Sequence, residues 1–385
     1  MSITKQIKCM GREIGLDIVR ITNADIFPQA EREILKSIEK GYIVEGTEHK
    51  GHHTHSVPDE TKLKRIRKRC NPKNILRNAK SVISVAYSYA IEDWENKACE
   101  TQPCGKIAKY DVANFYLEVK EKLQKIIDFI NQKYDFKYKS KNKSCYVSLV
   151  EKPIACRSGV GWYGKNGIIT TEKFGSWVVL GEIITELELE IDKPLQNDCG
   201  SCHICMDACP TNAIVAPYTI DRTKCLQYIS ERMMDVPLEY RDAWGDSLYG
   251  CTTCQDVCPI NLNKKLKRYR PPFGYIGSKV PLLPLLEMSQ NEFNSFFENN
   301  QIAMRPMDAI KRNAVLVLGN IRNPIAIKHL NRVLQEEFNT ILRGHAAWAL
   351  GKINGLNSKK TLEKALKLEE NELVIAEIKN ALKKF

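Results

Sequence analysis

The sequence has no long hydrophobic run and no sign of an export signal. No uninterrupted apolar stretch approaches the roughly 20 residues that a membrane-spanning helix needs. The first residues mix charged with apolar side chains and lack the apolar core and small-residue cleavage site of a signal peptide. Disulfide-framework spacing is also absent from the six cysteines outside the central motif, Cys9, Cys70, Cys99, Cys104, Cys145 and Cys156. We therefore expect a cytoplasmic protein with no membrane partner, in a reducing, anaerobic environment.

One segment lacks acidic residues altogether, within a chain that is positively charged overall. The chain carries 58 Lys and Arg against 46 Asp and Glu, a formal net charge of +12. Between Lys62 and Lys80 there are nine Lys or Arg and no acid, in a stretch that reads as a helix up to Cys70. Such a segment suits a phosphate-rich partner, but it is equally typical of an exposed helix face. We interpret the four histidines between residues 48 and 55 as part of a solvated loop rather than a metal site.

Eight cysteines are concentrated between residues 199 and 258. The first four follow the spacing of a bacterial ferredoxin and end in Cys209-Pro210, and the last run repeats that ending with Cys258-Pro259. Two four-iron, four-sulfur clusters need eight thiolates, and in this motif the last cysteine of a run reaches the other cluster. We assign one cluster to Cys199, Cys202, Cys205 and Cys258, and the other to Cys209, Cys225, Cys251 and Cys254.

Two structural zinc sites are the alternative for this segment, because Cys-x-x-Cys pairs also suit tetrahedral zinc. Zinc requires neither the third cysteine at the same short interval nor the Cys-Pro ending. The spacing therefore favours iron-sulfur clusters. Two clusters held by one short segment must lie close together, so they would transfer single electrons to an acceptor elsewhere in the protein.

The chain of 385 residues, 43% of them apolar, has room for two or three folded domains. Strands alternate with helices over residues 1–190, which predicts an α/β or α+β domain, with strands at 81–87, 144–150 and 176–184. Residues 191–263 are predicted to form a ferredoxin-like domain, and the proline-containing residues 264–294 are predicted to be a linker that mostly lacks regular structure. In residues 295–385 apolar motifs recur every 32 residues, which predicts an all-α HEAT-like repeat domain that presents a face to a partner.

Several motifs together resemble epoxyqueuosine reductase. They are the run from Gly159 to Asn166 (Gly-Val-Gly-Trp-Tyr-Gly-Lys-Asn), the run 175–182, the second cysteine run from Gly250 to Asn261, and residues 311–320 of the helical tail. The resemblance extends over essentially the whole chain. Its specific part is the Gly-Trp-x-Gly-Lys-Asn element joined to a double cluster.

The resemblance implies a corrinoid enzyme, in which cobalamin binds base-off between the α/β domain and the cluster domain and is reduced by the clusters. It further implies that the enzyme removes the epoxide oxygen of epoxyqueuosine in the anticodon loop of certain tRNAs. The expected partners are then tRNA and an external low-potential electron donor, and the expected state is a monomer. Opening an epoxide to an alkene consumes two electrons and needs a proton source. Carried over residue by residue, the resemblance gives corrinoid contacts to Arg69, Cys145, Trp162, Lys165, Asn166, Ile169 and Leu180, each of which also suits an ordinary core or turn position.

The sequence departs from this family at the expected proton donor. Where the family has an Asp, this chain has Cys145, and Tyr116 keeps its place while its Asp and His neighbours are replaced. In one hypothesis Cys145 or Tyr116 donates the proton, since a thiol with a pKa of about 8.5 can act as an acid. In the other, the scaffold reduces a different, small-molecule substrate, and Cys145 is a thiolate ligand of cobalt. A buried inert Cys145 and a ferredoxin-like electron carrier are the remaining alternatives.

Overall fold

The computed structural model describes residues 1–43, 60–91, 97–143, 148–262, 264 and 272–385. The histidine-rich segment and Cys145 lie outside these residues. None of the helices described is long and apolar enough to cross a membrane.

The first part of the chain is a four-stranded sheet with helices on both faces, as the alternating pattern predicts. Its strands lie in the order β1 (Ile18–Asn23), β2 (Ser81–Ser88), β7 (Val178–Thr185) and β4 (Ser140–Lys143), and all neighbouring strands are antiparallel. The elements of this part are α1 (Ile3–Glu13), β1 (Ile18–Asn23), α2 (Pro28–Glu39), α3 (Glu60–Arg69), β2 (Ser81–Ser88), β3 (Cys104–Ile107), α4 (Phe115–Lys133), β4 (Ser140–Lys143), α5 (Glu151–Ser158), β5 (Trp162–Tyr163), β6 (Ile169–Thr170) and β7 (Val178–Thr185).

The two faces of this sheet carry different helices, because successive side chains of a strand point to opposite sides. On one face, α4 packs so closely on β7 that a Cβ atom at Gly181 would lie 2.6 Å from the Val119 side chain. On the other face, alternate residues of β2 and β7 pack with Ile154 and Ala155 of α5 in two apolar clusters. Residues 180, 182 and 184 of β7 therefore share the α5 side of the sheet.

The cluster segment has little regular structure and is joined to its neighbours by a second sheet. Its elements are α6 (Ile204–Asp207), β8 (Ile214–Ala216), β9 (Thr219–Ile220), α7 (Leu226–Ser230), α8 (Leu238–Arg241), β10 (Ser247–Tyr249) and α9 (Thr253–Asp256). In the second sheet β3 pairs in parallel with β10 and antiparallel with β11 (Lys279–Pro281). Strands from three distant parts of the chain thus meet beside the cluster segment.

The C-terminal part is helical and repetitive, which confirms the expected all-α HEAT-like architecture. Its helices are α10 (Leu282–Glu287), α11 (Gln290–Phe296), α12 (Met307–Ile321), α13 (Ile327–Glu336), α14 (Thr340–Ile353), α15 (Leu356–Leu366) and α16 (Glu372–Leu382). The middle helices α12 and α14 are the most deeply buried, and their side chains continue the core of the α/β domain.

Two local predictions are wrong. The strand expected at 144–150 is not present at residues 148–150, which turn into α5, while strand β4 lies earlier at Ser140–Lys143. The stretch expected to lack regular structure contains β11, α10 and α11. Pro281 caps α10 and Pro284 lies in its first turn, where a missing N–H costs no helical hydrogen bond.

The cysteines outside the central motif also include a pair that the spacing did not reveal. A disulfide joins Cys99 to Cys104, at the start of β3. The two residues are only five positions apart, so they close a short local loop rather than forming a framework.

Candidate functional site

The first set of motif thiols surrounds Cys205 on the short helix α6. Burial raises the pKa of the Cys205 thiol, and the neighbouring thiols of Cys199, Cys258 and Cys202 raise it further. Like-charged neighbours act in this way only when they lie close in space. The four thiols around α6 are therefore the same four that the spacing assigns to the first cluster.

The second set surrounds Cys225, the residue before α7. Burial raises the pKa of its thiol, and Cys251 and Cys209 add to the effect. The Cys254 thiol, on α9, interacts with Cys251 and Cys225 and also with Cys205 of the first set. The two sets are thus adjacent, as a short path for electrons requires.

A buried hydrogen-bond network fixes the cluster segment to the α/β domain. Gln255, on α9, donates from Nε2 to the Tyr89 hydroxyl at 2.9 Å and to the Ser176 carbonyl at 2.9 Å. Asn261 donates from Nδ2 to the Ser176 hydroxyl at 2.8 Å, and its Oδ1 accepts from the Ser176 backbone N–H at 2.7 Å. All four side chains are buried. The polar residues of the second cysteine run therefore hold the domains together.

The Gly-Trp-x-Gly-Lys-Asn turn contacts the same segment. Lys165 donates from Nζ to the Gly200 carbonyl at 2.6 Å, beside the first cysteine of the motif. Asn166 donates from Nδ2 to the Cys254 carbonyl at 3.4 Å, while its Oδ1 accepts from the Ile168 backbone N–H. Lys165 and Asn166, which the sequence analysis predicts as corrinoid contacts, thus use their polar ends in hydrogen bonds to the cluster segment.

Two further predicted cofactor residues lie together on the α5 side of the sheet, and a third lies in the adjoining β5-β6 hairpin. Ile169 and Leu180 are 2% and 9% exposed and belong to one apolar cluster with Ala155 of α5. Trp162 pairs with Thr170 in the β5-β6 hairpin. The indole N–H of Trp162 is buried and has no acceptor among the described residues.

The remaining predicted residues are spread around the sheet. Arg69 ends α3 and is followed by the buried Cys70. Tyr116 lies in the first turn of α4 and packs against the core on the face opposite to α5. Cys145 falls in residues 144–147, between β4 and α5, outside the described part of the chain.

A buried polar group that the sequence analysis missed lies on the α5 side. Glu182, on β7, is 0% exposed, and neither of its carboxyl oxygens has a hydrogen-bonding partner among the described residues. The hydroxyls of Ser84 and Ser148 are equally buried and without partners there. Burial raises the pKa of Glu182 well above its usual value, and the nearby Glu151 raises it further. The only sequence signal is an acid in the middle of an apolar strand.

The helical repeat domain docks on the cluster segment through polar residues of α12. Arg312 is fully buried and donates to the carbonyls of Met234 at 2.6 Å and Ile229 at 3.0 Å. Asn313 donates to the carbonyls of Ser230 and Leu248. Burial lowers the pKa of Arg312 to about 9. These contacts lie just after Cys225, so α12 supports the backbone of the second thiol set.

An α/β domain and a HEAT-like array packed around two adjacent sets of four cysteines define a double-cluster iron-sulfur protein. Residues 198–261 match the family model of a 4Fe-4S double cluster binding domain, which decides against the zinc alternative. Residues 301–383 match HEAT repeats, and residues 69–142 match the model described as "Epoxyqueuosine reductase QueG, DUF1730".

Whole-chain comparisons agree with these matches. Epoxyqueuosine reductase of Bacillus subtilis (strain 168) is 33% identical over 96% of this chain and 93% of its own length. That of Bacillus anthracis is 31% identical over 99% and 97%. The crystal structure of an epoxyqueuosine reductase with an epoxyqueuosine-modified tRNA-Tyr stem loop superposes with a TM-score of 0.87, at 32% identity, over 99% of this chain and 98% of that one. The chain belongs to the epoxyqueuosine reductase family.

Proposed function

We propose that the protein is a cobalamin- and iron-sulfur-dependent reductase that converts epoxyqueuosine to queuosine in tRNA. The observation that carries this proposal is a double-cluster domain fixed by hydrogen bonds to an α/β domain whose sheet holds buried polar groups, in a chain similar over its whole length to epoxyqueuosine reductases. The relative whose structure contains the modified stem loop supports tRNA as the substrate.

The residues on the α5 side of the sheet suit a large ligand with many amide groups. The buried indole N–H of Trp162 offers a donor, and the side chains of Ile169 and Leu180 offer an apolar wall. With Arg69, these residues would hold the corrinoid, while Lys165 and Asn166 would fix the cluster domain beside it. Bound cobalamin would supply a low-potential metal that passes electrons to the substrate.

The reaction combines the epoxide with two electrons and two protons, and yields the alkene and one water. An external low-potential donor would reduce the clusters, and the two clusters held by the adjacent thiol sets would pass the electrons on singly. Cys145 would supply a proton to the leaving oxygen, whereas Tyr116 lies on the opposite face of the sheet from the proposed corrinoid contacts and is not assigned this step. A relative from Bacillus subtilis was captured with its catalytic loop swung out of the active site, which supports a loop as the carrier of an acid.

The basic helix α3 suits the sugar-phosphate backbone of the tRNA. Lys64, Arg65, Arg67 and Lys68 are exposed on one short helix. Such contacts release counterions, so tRNA affinity should fall as the salt concentration rises. We expect the enzyme to act as a monomer in the cytoplasm.

The test is anaerobic incubation of the cluster-reconstituted protein with epoxyqueuosine-containing tRNA, cobalamin and a strong reductant, scored by nucleoside conversion. Queuosine should appear only with cobalamin present. Matched reactions omit cobalamin, or use the Cys145→Ser variant to test the proton donor. Absence of conversion together with absence of tRNA binding in a filter assay would refute the proposal.

A further inference from the structure

The α5 side of the sheet holds a small polar island between two apolar clusters. Glu182 and Ser84 are directly paired across β7 and β2, and both side chains are fully buried. Along the strands, Val82 and Ile184 belong to the apolar cluster on one side. On the other side lie Ala86 and Leu180. Paired strand residues have Cβ atoms about 5 Å apart, so the carboxyl and the hydroxyl are close neighbours.

This island lies beside the residues proposed to border the corrinoid. Leu180 is two residues from Glu182 on the same face, which corresponds to about 7 Å along the strand. The other strand partner of Glu182 is Lys143, the last residue of β4. Just before α5, Ser148 has a buried hydroxyl that has no hydrogen-bonding partner among the described residues, and Glu151 is the first residue of α5.

The surroundings of Glu182 favour its neutral form. An isolated carboxylate in an apolar interior is strongly disfavoured unless it is paired or hydrogen-bonded. The facing residue on β2 is the uncharged Ser84, and the charged residue that faces it from α5 is another acid, Glu151. On β4 its partner in register is Lys143, whose side chain lies outside the described part. Among the described side chains, burial and Glu151 both favour the protonated form of Glu182, and a carboxyl held in that form can later donate its proton.

The proposed reaction needs two protons in each turnover, while a single thiol or phenol supplies only one. We infer that Glu182 is the internal proton store of the site. Its carboxyl group releases one proton for delivery to the substrate oxygen and is reprotonated from solvent before the next turnover. The second proton comes from the acid that touches the substrate, and the two electrons come through the clusters. This inference rests on the proposed function.

The first test reads the proton directly in cluster-loaded protein without cobalamin. Infrared spectra at neutral pH should contain the carbonyl stretch of a protonated carboxyl, and this band should shift in D₂O. Glu182→Gln should remove it, whereas Glu188→Gln, which changes an exposed carboxylate paired with Lys80, should not. Burial also raises the pKa of Asp111 to about 8, so the difference between wild type and variant isolates the Glu182 band. A difference spectrum without this band would overturn the inference.

The second test is the pH profile of tRNA conversion. General acids contribute about 100-fold or more to such steps. We expect Glu182→Gln to slow conversion about 100-fold near neutral pH, with a smaller loss at low pH, where solvent supplies protons. Glu182→Asp should recover part of the rate and the infrared band, and Glu188→Gln should retain wild-type turnover.

The two proposals fail in different ways. If the wild type converts tRNA and Glu182→Gln keeps its rate and pH profile, the inference is overturned while the proposed function stands. If the wild type does not convert tRNA, the proposed function fails. The infrared difference then still decides whether Glu182 carries a proton.

Discussion

Storing a proton on Glu182 should cost the folded protein stability, and the cost should depend on pH. The folded carboxyl keeps its proton because burial raises its pKa well above the usual value of 4.5, whereas the unfolded carboxyl ionises near 4.5. Below pH 4.5 both states are protonated and the stability is fully present. As the pH rises from 4.5 toward the folded pKa, ionisation favours the unfolded state and stability is lost.

The size of this effect follows from the linkage between pKa and folding. Each pH unit in that window corresponds to about 1.4 kcal/mol, so two units above 4.5 remove about 2.7 kcal/mol. Glu182→Gln cannot ionise and should escape the loss, apart from a constant offset for the new amide. Since unfolding entropy is about 2 cal/mol/K per residue, 2.7 kcal/mol corresponds to about 3 °C in the midpoint of a chain of this size.

The assay is differential scanning fluorimetry of the cluster-loaded wild type and Glu182→Gln at one heating rate, from pH 4.5 upward. As the pH rises, the melting midpoint of Glu182→Gln should increase steadily relative to that of the wild type. Glu188→Gln serves as the control, because its exposed carboxylate should give a difference that is flat with pH. A flat difference for Glu182→Gln as well would show that the buried carboxyl is already ionised, and the reasoning would be refuted.

Three further predictions concern the clusters, the domain interface and the RNA surface. Cys254→Ser should lose about half of the bound iron by chemical assay while Cys9→Ser loses none, and equal iron in both would contradict the assignment. Arg312→Met leaves two buried carbonyls without donors and should cost about 2–4 kcal/mol, read as a lower melting midpoint, whereas the exposed Arg332→Met should change little. Lys68→Gln should weaken tRNA binding and reduce the slope of log affinity against log salt by about one, and an unchanged slope would remove it from the interface.

The cluster motif was predictable because its information is local. Within each cysteine run the thiolates are three or four residues apart, and the repeated Cys-Pro ending indicates the exchange of Cys209 and Cys258 between the runs. The long helices were predictable for the same reason, since α4 buries residues at helical spacing from Phe115 to Ile130.

The error at residues 144–150 has a physical cause. The stretch contains Tyr146, Val147 and Val150, residue types that favour strands, and Pro153 just beyond it argues against a helix interior. Pro153 in fact occupies the first turn of α5, where its missing N–H has no intrahelical partner to lose. The sequence gave no sign that α5 begins here, because the residue before the helix makes no side-chain hydrogen bond that would cap it.

Non-local pairing accounts for most of what sequence could not predict. Strand β3 pairs with β10 and β11, each more than 130 positions away, and four-residue segments carry no signal for such partners. The polar residues at the domain interfaces could be seen in the sequence motifs. The sequence did not show that they make hydrogen bonds between domains. In the sequence, Gln255 and Arg312 look like ordinary polar residues. The structure shows that both are buried at the junctions between domains.

The motifs that carry the resemblance include residues that fix the domains as well as residues proposed for the chemistry. The motifs that carry the resemblance contain Gln255, Asn261 and Arg312, whose hydrogen bonds fix the clusters against the other two domains. Electron transfer depends on such fixed distances, and substitution at the substrate side does not alter them. A cysteine in place of the family acid is consequently compatible with an intact electron path. Under the proposed function this substitution would affect the step that delivers protons, and the buried Glu182 lies on the same sheet face as the proposed corrinoid contacts, between β4 and β2.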